Sequence, residues 1–430
     1  MALVSNNNTP KSSIQEVVLR PPKFGVATFQ NPSTPTSGVA CVANRATHPF
    51  NRRNELASDV IWISDALDAT QAQNFRSPSY LRSTLSQIAG DLGVSLKDSV
   101  DGLPLVAETV GRVRDIAAHL YPWNDFSEYW SHINLSTCIA KILPAKETII
   151  PNMESPLRQA MQTYSSVPDR PYSDSFSQTN YTLRVNRLRY SQYLCSINVP
   201  NNAWIAVPDV SKHNVTLDDF LNPNEPSLVE ISIEFTTGLN EVVTPALTAF
   251  GSSKVMGRAP IRKWVSQPEL AWLVEHANVN IVSAFMSQGS QKISSAHALP
   301  AMLTADPVYA LSIAAGLVAE CHWVGLASST SVRRAGNSAT AKFVDVVSPT
   351  AVWLRAADRA YCFAMAKIVA ARGLTVSGYG YGSVSFHGPK NNISMIAELA
   401  EELGTCHPCL AALQKTMLIG QDASAFEGSV

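Results

Sequence analysis

The chain is short of charge. Only 16% of its 430 residues are Asp, Glu, Lys or Arg, against roughly a quarter in ordinary soluble domains. The two signs nearly cancel, 33 basic against 34 acidic, leaving a formal net charge of -1. That balance argues against a chain that coats nucleic acid by basicity alone, because neutralising many phosphates shows in the net charge. A long uncharged apolar run is also missing. The longest, Val308 to Ala327, carries Glu320 and His322 and reads as a buried helix, not a membrane span. The start, MALVSNNNTPKSS, has no apolar signal core. The 7 cysteines are scattered and odd in number, which fits buried thiols in a reducing, cytosolic setting better than a disulfide framework.

Catalytic signatures are wanting too. There is no Gly-x-Ser-x-Gly and no His-Glu-x-x-His; Glu275-His276 is in the wrong order, and the histidines form no cluster. Asp59, Asp65 and Asp68 in SDVIWISDALDAT read most simply as the solvated face of an amphipathic helix. Gly378-Tyr-Gly-Tyr-Gly-Ser383 is glycine-rich, but serine stands where a dinucleotide loop needs its third glycine. Nor is it a P-loop, since Gly388 is followed by Pro389 and then Lys390-Asn391-Asn392. It reads as a twisted hairpin or a backbone pressed against another chain. Cys406-His-Pro-Cys409 lacks the second pair of a zinc site and the βαβ frame of a redox pair, so it reads as a helix–helix turn. The expectation is a protein that is not an enzyme and holds no cofactor and no metal.

What the chain does have is small and aromatic residues on helical spacing. Residues 1–54 stand apart: prolines at 10, 21, 22, 32, 35 and 49, and basic residues including Arg20 and Lys23 against the single acid Glu16. They predict an extended N-terminal arm that cannot fold alone. Helices are predicted from Ser77-Pro78 through Leu92, over Leu103–Leu120, from Asp125 through Leu143, from Asp306-Pro307 to Ala327, from Ser348-Pro349 to Arg372 with a stop at Gly373, over Ile393–Leu403 and over Pro408–Ile419. Ala203–Val207 and the alternating Val229–Phe235 predict strands. The sum is a mainly α (α+β) protein. A helix-rich body spans 55–178 and 241–430, a smaller mixed α/β subdomain projects over 179–240, and the arm covers 1–54.

The most basic aromatic stretch is Tyr181-Thr-Leu-Arg-Val-Asn-Arg-Leu-Arg-Tyr190. Arg184, Arg187 and Arg189, beside Tyr181, Tyr190 and Tyr193, suit phosphates and base stacking. The neutral chain around them favours a solvated helix or a subunit interface instead.

Low charge, abundant small and aromatic residues, a proline-rich arm and missing catalytic motifs fit a chain that buries its surface against copies of itself. In length, in its Pro/Ser/Thr/Asn-rich start, in aromatic helices such as YPWNDFSEYWSHINLSTCIAKILP and in the middle segment YLCSINVPNNAWIAVPD, it resembles the capsid proteins of partitivirus-like double-stranded RNA viruses. The resemblance implies an α-rich shell domain with a projecting arch and paired subunits. It further implies an icosahedral particle in the host cytoplasm enclosing the double-stranded RNA genome and the viral RNA-dependent RNA polymerase, with no membrane. It makes Arg20 and Lys23 candidates for RNA or inter-subunit contact. The alternative is a nucleoprotein coating single-stranded RNA along a basic groove through Arg184, Arg187, Arg189, Arg333 and Arg334.

Overall fold

A computed structural model describes residues 23–31, 33, 35–66, 75–76, 83–120, 155–165, 179–201, 203–234, 264–275, 278–293, 309–327, 330–333, 343–346, 349–388 and 393–406. The first element is a mixed sheet, β3-β2-β1-β4-β5, built from Lys23–Phe29 (β1), Gly38–Val42 (β2), His48–Phe50 (β3), Val60–Ile63 (β4) and Phe75–Arg76 (β5). β1 runs antiparallel to β2 and parallel to β4. Side chains alternate between its two faces, as the strand period requires. Phe24, Val26, Cys41 and Ile63 face a layer formed by helices α1 (Leu85–Asp91) and α2 (Gly102–Leu120). Ala27, Ala40, Val42, Phe50 and Trp62 face the other way, into a second apolar cluster with Leu56 and Phe75. The Trp62 ring lies so close over Gly25 that a Cβ there would stand 2.6 Å from it.

Both helices obey local rules. Thr84 Oγ1 accepts from the N–H of Gln87, whose Oε1 accepts from the N–H of Thr84, closing a capping box at α1. Along α2, Leu103, Val106, Ala107, Val110 and Val113 recur on one face and are buried.

The rest of the chain is organised around one long helix. After α3 (Ser155–Ser165) come β6 (Thr179–Val185), α4 (Arg187–Ser196), β7 (Val199–Pro200), β8 (Trp204–Val207), α5 (Leu217–Leu221), β9 (Ser227–Glu234), β10 (Trp264–Ser266), α6 (Gln267–Leu273), β11 (Asn278–Ser287) and β12 (Ser290–Gln291). They are followed by α7 (Tyr309–Ala327), β13 (Thr330–Arg333), β14 (Phe343–Val346), α8 (Pro349–Ala371), β15 (Thr375–Gly380), β16 (Ser383–Gly388), α9 (Ile393–Glu402) and β17 (Thr405–Cys406). Two four-stranded sheets, β10-β9-β11-β8 and β15-β16-β6-β17, result, with small pairs β7–β12 and β13–β14. The 23-residue α8 runs through two cores. Its first half (Val352, Trp353, Ala356) packs with Trp323 and Val324 of α7; its second half (Cys362, Phe363, Ala366, Val369) packs with Leu270 of α6, Val229 of β9 and Phe386 of β16. Alanines on α8 let these neighbours approach closely, as their spacing predicts.

Several expectations are corrected. The chain is not mainly α but mixed: among the described residues the helices are joined by strands that build several sheets. Residues 23–50 are not an extended arm but three strands of the first sheet, with Phe24 and Val26 buried. The two described prolines punctuate strands without interrupting the sheet's interior. Pro35 lies in the β1–β2 connection, and Pro49 sits on the edge strand β3, where a missing N–H costs no ladder bond. Residues 179–240 are not a projecting subdomain. β6 pairs with β16 and β17, and β9 pairs with β10 and β11, so both are built into sheets with later parts of the chain. The predicted acidic helix around Asp59 and Asp65 is strand β4, whose Val-Ile-Trp-Ile run is the mark of a buried strand. Cys406 ends a strand, not a helix–helix turn. Asp68, Cys409 and the helices predicted over 125–143 and 408–419 lie outside the described residues.

Candidate functional site

The arginine segment folds as the end of β6 and the start of α4. Asn186 caps α4, its Oδ1 accepting from the N–H groups of Leu188 and Arg189, both at 3.1 Å. This fixes Arg187 as the first helical residue and turns its side chain inward. Its Nε donates to Asp91 Oδ2 of α1 at 2.8 Å, and its Nη1 donates to Glu320 Oε2 of α7. Arg184 Nη1 reaches the other oxygen of the same carboxylate, Glu320 Oε1, at 3.3 Å. A glycine in α7 makes room: a Cβ at Gly316 would stand 3.1 Å from Arg187 Cβ. Burial by itself would lower the Arg187 pKa, but the neighbouring Glu320 and Asp91 carboxylates outweigh it and raise the value.

The sequence-predicted residues are therefore not one surface. Arg184 and Arg187 meet on Glu320 inside the protein, while Arg189, on the same helix, is exposed. Lys23 is far along the chain at the start of β1, on the surface, paired with Asp59 at 3.1 Å. Arg20 and Arg334 are outside the described residues. The expectation of a solvated helix face fails at Arg187, which is 7% exposed. Its partners are 96 and 133 residues away in sequence, so no local pattern announces them.

The glycine-rich stretch does bind an anion, but one of the chain's own. β15 and β16 form a hairpin whose two-residue turn, Tyr381-Gly382, has φ of 53° and 64°. Both positive angles belong to the type I′ turn that matches strand twist. The turn's N–H groups point at Asp358 of α8: Tyr381 N–H donates to Oδ2 at 2.8 Å and Gly382 N–H to Oδ1 at 3.0 Å. Tyr190 Oη of α4 donates to the same Oδ1 at 2.6 Å. Gly382 is obligatory on two counts, since a Cβ would also stand 2.7 Å from the Tyr190 ring. Burial, reinforced by the Asp358 charge, pushes the Tyr190 hydroxyl and the Cys362 thiol well above their ordinary pKa values. They serve as a donor and a packed neighbour holding the carboxylate in place.

A second buried pair completes this interior. Arg359 Nε and Nη2 donate to Glu269 Oε1 and Oε2 of α6 at 3.0 and 3.2 Å, a two-pronged bond between side chains 3% and 1% exposed. Cys41, Cys195, Cys321 and Cys362 are buried outside any disulfide, and burial pushes the Cys195 thiol up to about 12. Among the described residues no three His, Cys, Asp or Glu side chains gather as a metal site would require. Among those residues, too, no helix is long and apolar enough to cross a membrane.

No known protein family matches the chain, and no curated protein sequence matches it. Solved structures of Phi29 DNA polymerase share its course loosely. The complex with primer-template DNA (post-translocation binary complex) gives a TM-score of 0.44 at 12% identity, over 87% of this chain and 82% of that one. The orthorhombic crystal form gives 0.43 at 13% identity, over 86% and 81%. Likeness at this level carries no argument about function.

Proposed function

We propose that the chain is a coat protein that assembles with copies of itself, in the manner of the double-stranded RNA virus capsids it resembles. The observation that carries this is where the scarce charge goes. Arg187, Arg359, Glu269, Glu320 and Asp358 are all turned inward, so among the described residues the exterior loses part of an already scarce charge. Surfaces covered by protein are depleted in charged residues. β8 adds a place for a second copy. It lies at the edge of its sheet among the described strands, carries no charged residue, and exposes Ala206 and Ile205, the latter 50% exposed. An unguarded edge of this kind accepts a strand from another chain. The proline-rich start no longer contributes support, because residues 23–50 lie on their own body.

The same geometry ranks the nucleoprotein alternative lower. Arg184 and Arg187 are engaged by Glu320 and Asp91, and a phosphate-tracking groove needs its arginines free. In the proposed role the assembly encloses double-stranded RNA and its polymerase in the host cytoplasm, where small cations balance most of the duplex charge. Electron microscopy of the purified full chain across a salt series tests this. Closed particles that persist in moderate salt are the expected result. A monodisperse single chain at high concentration overturns the proposal, and salt-labile rings or filaments on RNA turn it to the nucleoprotein.

A further inference from the structure

In sheets containing parallel strands, ligands settle in the crevice beyond the carboxyl ends of those strands, where neighbouring connections diverge. β1 and β4 are parallel neighbours at the centre of the first sheet, and β5 continues the parallel run at its edge. Beyond their carboxyl ends lies a cavity of about 410 Å³, within the range of roughly 300–1,000 Å³ usual for small-molecule sites. Its floor is apolar, from Ala66, Leu85 and Leu103, all buried. Two ionisable groups line it, Asp65 immediately after β4 and Lys97.

Neither has a partner of opposite charge among the described residues. Asp65 Oδ1 accepts from the N–H of Leu85 at 3.1 Å. Burial raises the Asp65 pKa, offset in part by hydrogen bonds from the backbone of Leu85 and Ser86. Two backbone amides leave a carboxylate with further lone pairs directed at its surroundings. Lys97 is exposed and forms no ion pair. An exposed carboxylate held by two backbone amides and an exposed ammonium beside one apolar crevice suit a ligand carrying both complements, since charge-assisted hydrogen bonds are the stronger ones.

We propose that this crevice binds a small zwitterion with an apolar body. The ligand's ammonium end sits on Asp65, its acidic end on Lys97, and its body on Ala66, Leu85 and Leu103. The site is independent of self-assembly and goes beyond the coat-protein role.

Isothermal titration calorimetry on the full chain tests it with three probes: L-phenylalanine, phenethylamine (ammonium only) and 3-phenylpropionate (carboxylate only). L-Phenylalanine should bind about tenfold more tightly than either half, as one charge-assisted hydrogen bond contributes that factor. Asp65→Asn should weaken L-phenylalanine and phenethylamine about tenfold and leave 3-phenylpropionate unchanged. Lys97→Ala should weaken L-phenylalanine and 3-phenylpropionate about threefold, the smaller factor reflecting its exposure. Asp65 also holds the first amides of α1, so if its variant fails to fold, Lys97→Ala decides alone. No binding of L-phenylalanine, equal affinity for all three probes, or unchanged affinities in Lys97→Ala would overturn the proposal.

Discussion

Around the first sheet both faces are covered with carbon: Phe24, Val26 and Ile63 toward the helices, Trp62, Phe50 and Val60 on the other side. Around α8 the interior is laced with ions, from Arg359 on Glu269 to Asp358 under the hairpin turn, and nearby from Arg187 to Glu320. The first arrangement tolerates small losses, because dispersion and apolar burial are spread over many contacts. The second does not. A buried pair adds little over an apolar substitute, yet removing one member strands the other in a low-dielectric interior. Stability should therefore fail in different ways in the two regions.

The sharpest break is at Arg359. Arg359→Leu leaves Glu269 buried without its cation and should cost about 3–5 kcal/mol, read from urea denaturation. The double variant Glu269→Leu/Arg359→Leu should recover most of that loss; if it does not, the pair is worth more than its isosteric replacement and the contrast is overstated.

Acid sharpens the comparison next. His322 of α7 is fully buried, and burial lowers its pKa from 6.5 to about 4. Between those values the unfolded chain binds a proton that the folded one refuses. Stability is thus complete above about pH 6.5 and falls as the pH drops toward 4, by about 3 kcal/mol. His322→Gln should flatten that part of a pH–stability profile.

Two glycines then test geometry alone. Gly382→Ala meets both a left-handed backbone and the Tyr190 ring and should cost about 2–4 kcal/mol. Gly25→Ala, in the apolar region, meets only the Trp62 ring and should cost about 1–3 kcal/mol. Thermal midpoints of the two variants give the order, and a larger shift for Gly25→Ala would contradict it.

Smallest is Tyr190→Phe, which removes the hydroxyl's bond to Asp358 and its long contact with the Cys362 sulfur while the two turn amides still hold Asp358. About 1–2 kcal/mol is expected, with the hairpin's amide exchange as a second readout.

The helices α2, α7, α8 and α9 were legible in the sequence because their apolar spacing and stop signals, such as Gly373 and Gly404, are local. So were β8 and β9, one as a short apolar run and one by strict alternation. The first sheet was hidden because β1 and β2 are rich in glycine and alanine beside a large tryptophan, a complementarity visible only when the strands are paired. Arg187 was hidden for a related reason: a basic residue between two tyrosines looks the same whether it meets phosphate or a distant glutamate. Of the two readings the Gly-Tyr stretch offers, a hairpin or a backbone pressed against another chain, the hairpin is present at Tyr381-Gly382, but its partner Asp358 lies more than twenty residues earlier on a helix, and no motif links them.

Asp358 has one more effect, on alignment. Should β15 and β16 slide by a single position, the outward-pointing amides of the bend would move off the carboxylate, leaving a dehydrated anion with only the Tyr190 hydroxyl and the Cys362 thiol among its present donors. The misaligned ladder would keep nearly all its rungs and still be forbidden. A lone acid on a neighbouring helix thus serves as the gauge against which the ribbon is measured, rejecting the slipped form that repetitive Gly-Tyr sequences otherwise invite.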